Sequence, residues 1–68
     1  MAIFQASLCR MHKGSLVPYD SATIETNSGY DAVEKARRWA LTVDDRVDAW
    51  LQVLFEGEGV ASLKPGDF

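Results

Sequence analysis

The run Asn27-Ser28-Gly29 separates two periodicities that no single element can satisfy, so the chain must combine strands with a helix. Before the break, Ile3 to Met11 alternate: Phe4, Ala6 and Leu8 share one face, and Gln5, Ser7 and Cys9 the other. That is the period of a half-buried strand. His12-Lys13-Gly14-Ser15 and Pro18-Tyr19-Asp20 are rich in turn residues and flank Leu16-Val17, which reads as a broad hairpin loop with room for a bulge. From Ser21 to Thr26 the alternation resumes, with Ala22 and Ile24 opposed to Thr23 and Glu25.

Beyond the break the spacing changes. Ser28 is placed as an N-cap whose hydroxyl accepts from the backbone N–H of Asp31. From Tyr30 to about Leu41, residues Ala32, Val33, Ala36, Trp39, Ala40 and Val43 fall within an arc of roughly 120° at 3.6 residues per turn. Half of that arc is alanine, so the helix should lie close against a sheet, with Trp39 supplying bulk at its end.

The last third supports two readings. Val47, Trp50, Leu51, Leu54 and Phe55 match helical spacing, with Asp44 as a cap. A strand would instead set Leu51, Val53 and Phe55 on one face and Trp50, Gln52 and Leu54 on the other. Enrichment in Val, Leu, Phe and Trp favours the strand. So does the sequel, in which Glu56-Gly57-Glu58-Gly59 supplies a hairpin turn, Val60 to Lys64 pair back, and Pro65-Gly66 ends the pairing. The expected fold is α+β: a single small domain over 1–68 in ββαββ order, with a mainly antiparallel four-stranded sheet and one helix packed on one face.

An apolar first strand, the T-I-E of the second, the D-A-V-E-K-A of the helix and the L-Q-V-L of the hairpin together resemble a loose class of short bacterial ββαββ proteins. The resemblance spans most of the chain. It implies a fold and carries no functional residue across.

Size and cysteine usage then restrict how such a fold is stabilised. A chain of 68 residues buries only about 60% of the surface its unfolded form exposes. Small domains compensate with disulfides, a structural metal or association. Cys9 is the only cysteine, which removes the internal disulfide and the thiolate-rich metal site and leaves association. The net charge of −3 argues against a chain-wide attraction to phosphate backbones. MAIFQASLCRMHKG lacks the basic and apolar regions of a signal peptide, and no apolar run approaches the ~20 residues that span a bilayer. The expected compartment is the cytoplasm, where a lone reduced cysteine is ordinary.

The residues that could carry chemistry do not converge. In E-K-A-R-R-W-A (34–40), Arg38 follows Glu34 by four and Lys35 follows Asp31 by four, the acid-first order of stabilising helix pairs. Arg37 and Arg38 complement the dipole in the closing turns, while Trp39 projects to the alanine face. A nucleic-acid surface would gather aromatic and basic groups together, and these diverge. Cys9-Arg10-Met11-His12 has the form of half a zinc site, yet on a strand Cys9 and His12 face opposite ways and no second ligand pair exists. Asp44, Asp45 and Asp48 lack the ligand spacing and glycine of a calcium loop. Gly57-Glu58-Gly59 has Ser62 where a dinucleotide fingerprint needs its third glycine, and it precedes a strand. With one histidine at a loop edge, no Ser–His–acid triad is arguable. No enzyme, cofactor or metal site is expected.

One surface does generate an expectation. A single helix covers one face of the sheet, so if Leu51, Val53 and Phe55 meet it, Trp50 and Leu54 lie on the other side, with Cys9 and Met11. Trp50, Leu54 and Met11 are the candidate partner-binding residues, and the partner is a second copy of the chain or another protein, reached through this face or an adjoining sheet edge. The competing reading has the loop of Leu16, Val17 and Tyr19, or Phe68, folding over the patch. A nucleic-acid-binding domain using Arg10, Lys13, Arg37 and Arg38 is the alternative function. A small-ligand carrier with Trp50 or Trp39 lining a pocket is the third.

Overall fold

A computed structural model of the chain describes residues 2–68. Its elements run β1 (Ala2–His12), β2 (Ser15–Thr26), α1 (Gly29–Ala40), β3 (Trp50–Phe55) and β4 (Glu58–Leu63). The four strands form one antiparallel sheet in the order β2-β1-β3-β4. This is the α+β, ββαββ arrangement that the two periodicities dictate, and residues 50–55 are strand rather than helix.

Both hairpins close through two-residue turns, Lys13-Gly14 between the paired His12 and Ser15, and Glu56-Gly57 between the paired Phe55 and Glu58. In each, both turn residues have positive φ: 50° and 82° in the first, 52° and 83° in the second. That is the backbone of a type I′ turn, whose twist matches the strands it joins and whose second position favours glycine. The first hairpin corrects the expectation of a broad loop. β2 begins at Ser15, and Pro18-Tyr19 are strand residues at a register shift, where Cys9 pairs with Pro18 and Leu8 with Asp20. Tyr19 is the extra residue of that bulge. Proline is admissible here because β2 is an edge strand with no further neighbour to receive an N–H.

Helix α1 starts as its cap residue requires. The Ser28 side chain accepts from Asp31 N at 3.1 Å while Ser28 itself stays extended. The Thr26 hydroxyl donates to the Asp31 carboxylate, tying the end of β2 to the first turn. At the other end Leu41 N–H donates to Arg37 O at 3.1 Å, Thr42 N–H to Trp39 O at 2.9 Å and Val43 N–H to Ala40 O at 3.1 Å, which satisfies three of the helix's closing carbonyls. Ala32, Ala36 and Ala40 are buried on the face that meets the sheet.

The core lies between α1 and one face of the sheet. The ladder sets Phe4 opposite Ile24 and Phe55, Ala6 opposite Ala22 and Val53, and Leu8 opposite Leu51. Phe4 and Phe55 stack at 4.9 Å between ring centroids. Leu8, Leu51 and Val53 are the largest fully buried side chains, each contributing about 2 kcal/mol by removal from water. Trp39, Val43, Leu63 and Phe68 close the margins of the same cluster. No helix among the described residues is long and apolar enough to cross a membrane.

Candidate interaction face of the sheet

Antiparallel pairing places opposed residues on the same face, so register alone defines the surface away from α1. On β1 it carries Ile3, Gln5, Ser7, Cys9 and Met11. On β3 it carries Trp50, Gln52 and Leu54, opposite Cys9, Ser7 and Gln5 in that order. On β2 it carries Leu16, Pro18, Ser21, Thr23 and Glu25, and on β4 Gly59 and Ser62. Glu25, on an edge strand, is the one charged residue among these positions, although a quarter of the chain is charged. Trp50 and Leu54, named from the sequence, therefore share this face with Met11.

Its relief is uneven. Ile3 is 60% exposed and Met11 51%, at opposite ends of β1, whereas Trp50 and Leu54 are half-buried. Between them Ser7 and Cys9 are buried although no helix lies over them. Their side chains are short and stand among longer ones: Cys9 Sγ donates to Gln52 Oε1 at 3.5 Å, and the Ser7 and Ser21 hydroxyls are 3.4 Å apart. Burial pushes the Cys9 thiol above its usual pKa, since the thiolate would lose its hydration there. Cys9 thus belongs to the face but contributes no exposed apolar surface to it.

Of the residues expected to fold over the face, Leu16 lies on it, beside Met11, while Phe68 and Tyr19 turn elsewhere. Phe68 packs at the margin of the core cluster that contains α1. Tyr19 turns to the loop 41–49, its hydroxyl donating to Asp45 O at 2.7 Å. Arg10, on the helix-side parity of β1, stacks 4.3 Å above the Tyr19 ring and donates through Nη2 to Asp45 Oδ1 at 2.6 Å and through Nε to Val47 O at 3.1 Å. These contacts fasten the loop to the hairpin arm of β1 and β2 that extends past the end of β3. Arg46 completes the loop, its Nη1 donating to the carbonyls of Leu41 and Val43 at 2.8 Å each.

Of the cations named for the alternative function, Arg10 and Arg37 are engaged in ion pairs, and Arg38 lies with Arg37 in the last turn of α1. Arg10 is paired with Asp45, and the Asp45 carboxylate raises its pKa by hydrogen bonding. Arg37 pairs with Glu34 at 3.3 Å, where sequence spacing had favoured Arg38, and Lys35 pairs with Asp31 as expected. Lys13 sits in the hairpin turn. Among the described residues no group of three His, Cys, Asp or Glu is placed to hold a metal ion. Surface depressions lie at the Ala2–Phe55 end, between Leu41 and Phe68, and along Leu54–Ser62, and neither tryptophan lines these.

Both sheet edges are interrupted. β2 carries Pro18 and the Tyr19 bulge; β4 carries a second bulge at Val60, between the pairs Val53–Ala61 and Leu54–Gly59, and ends before Pro65. Such irregularities discourage a foreign strand from extending the sheet. No protein-family model, curated protein or solved structure matches the chain.

Proposed function

We propose that this chain is a non-enzymatic protein-interaction module that associates with a second copy of itself through the face of the sheet opposite α1. The observation that carries this reading is the near absence of charge on that face. In a chain of net charge −3, an uncharged surface is where two copies meet with least repulsion. Trp50 and Leu54 offer the apolar anchors, with Met11 and Ile3 beyond them.

The two longer extents of the molecule, 35 and 23 Å, cap the face at about 800 Å², so an interface here can reach but not exceed the area each partner commits in a standard one. The bulged edges weigh against strand addition, so face packing is favoured over edge pairing. Nucleic-acid binding gains no support from the face, which lacks cations, nor from Arg10 and Arg37, which already neutralise acids.

Sedimentation at micromolar concentration tests the proposal. Wild-type protein sediments as two chains and Trp50→Ala as one, with unchanged far-ultraviolet circular dichroism. A wild-type mass of one chain removes the reading. Salt-dependent retention on a nucleic-acid column would install the alternative in its place.

A further inference from the structure

If the face joins two copies, its own pattern specifies how they are placed, and this inference rests on that reading. On β1 the exposed apolar residues are Ile3 and Met11, each four residues from Ser7. On β3 the apolar residues are Trp50 and Leu54, each two residues from Gln52. Ser7 and Gln52 are directly opposed in the ladder, so both sets are centred on one line across the strands. Along that line the side chains are small or polar: Ser21, Ser7, Gln52 and Ser62.

We infer that the two copies stack face to face about a two-fold axis running along this line, perpendicular to the strands. Such an axis reverses strand direction and keeps strand order, so β1 lies over β1 and β3 over β3. Met11 of each copy then meets Ile3 of the other, and Trp50 of each meets Leu54 of the other. Two equivalent apolar contacts form on each strand pair, one at either end, while Ser7 and Gln52 face their own counterparts at the centre. Stacked sheets of this kind keep their strands within about 30° of each other, as their twist requires.

The alternative axis, parallel to the strands, sets β1 over β3. It places Trp50 over the buried Cys9 and leaves Met11 unopposed, because the β1–β3 pairing ends at Cys9. The perpendicular axis gives every apolar residue of these two strands a partner.

Charge pairs at the two exposed ends test the placement. Ile3 and Met11 are surface positions at opposite ends of β1, too far apart to interact within one chain, and because Ile3 stands across the ladder from Glu25 the fold of each variant is checked by far-ultraviolet circular dichroism. The double variant Ile3→Glu, Met11→Lys brings opposite charges together twice in the proposed pair, and the variant Ile3→Lys, Met11→Lys brings like charges together twice while lowering the chain's net negative charge. Sedimentation should show the Glu/Lys protein associating at least tenfold more tightly than the Lys/Lys protein at low salt, an order that net charge alone would reverse, the gap narrowing as salt screens both. Equal association of the two doubles, with wild type still paired, overturns the axis and leaves self-association standing. An unpaired wild type overturns both.

Discussion

Trp50 stands directly across the ladder from Cys9, and the tryptophan keeps part of its surface in solvent while the thiol keeps none. A small side chain between larger neighbours loses contact with water even on a face that no helix covers. Its reactivity falls for two reasons, closed access and a pKa raised by desolvation. Maleimide labelling of Cys9 in the native protein should therefore be more than tenfold slower than in urea, and Trp50→Ala should speed the native reaction several-fold. Equal native and denatured rates would contradict this burial.

The turn Glu56-Gly57 depends on Gly57 at a φ of +83°, a conformation that strains any residue with a Cβ. Gly57→Ala should lower stability by about 1 kcal/mol or more, read as a shift in the urea midpoint at constant slope. Gly59, in open space and without a positive φ, is the control. Gly59→Ala should change stability by no more than a few tenths of a kcal/mol.

Asp31 supplies a pH dependence whose sign is fixed by its partners. The Thr26 hydroxyl first and Lys35 second hold its carboxyl below the ordinary value of 3.8. A carboxyl lowered in the folded state stabilises fully above its unfolded pKa and loses that contribution as pH falls through the folded one. The stability advantage of wild type over Thr26→Val should accordingly shrink as pH drops below 3.8, followed by urea midpoints across the acid range. A constant or widening gap would exclude the Thr26–Asp31 bond as its source.

Where the sequence was read correctly, the deciding forces were local. Ser28 and Asp31 are three residues apart, so the cap needs no knowledge of the rest of the chain. The alternation in Trp50–Phe55, followed by a glycine turn, carries enough information to choose strand over helix. The misreadings share another origin. Pro18 and Tyr19 look like loop residues until β2 is known to be an edge, where a proline and an unpaired bulge residue cost no ladder bond. Arg10 and Asp45 lie 35 residues apart, and nothing in either neighbourhood announces their pairing. Alternation does place Ser7 and Cys9 on the face away from the core, but it fixes only a face and not the height of its neighbours, so their burial is not legible from it.

The irregular borders of the sheet have a consequence for how far assembly can go. A ribbon that grows by adding strand upon strand needs an unbroken lateral row of donors and acceptors, and Pro18 on one side and the Val60 bulge on the other deny it that row. Pairing through the broad surface, as proposed, would instead use the sheet face that α1 leaves open, since α1 occupies the reverse. A pair so formed has no second open sheet face among the described residues to offer a third copy, so it would complete itself at two members and not lengthen into fibres.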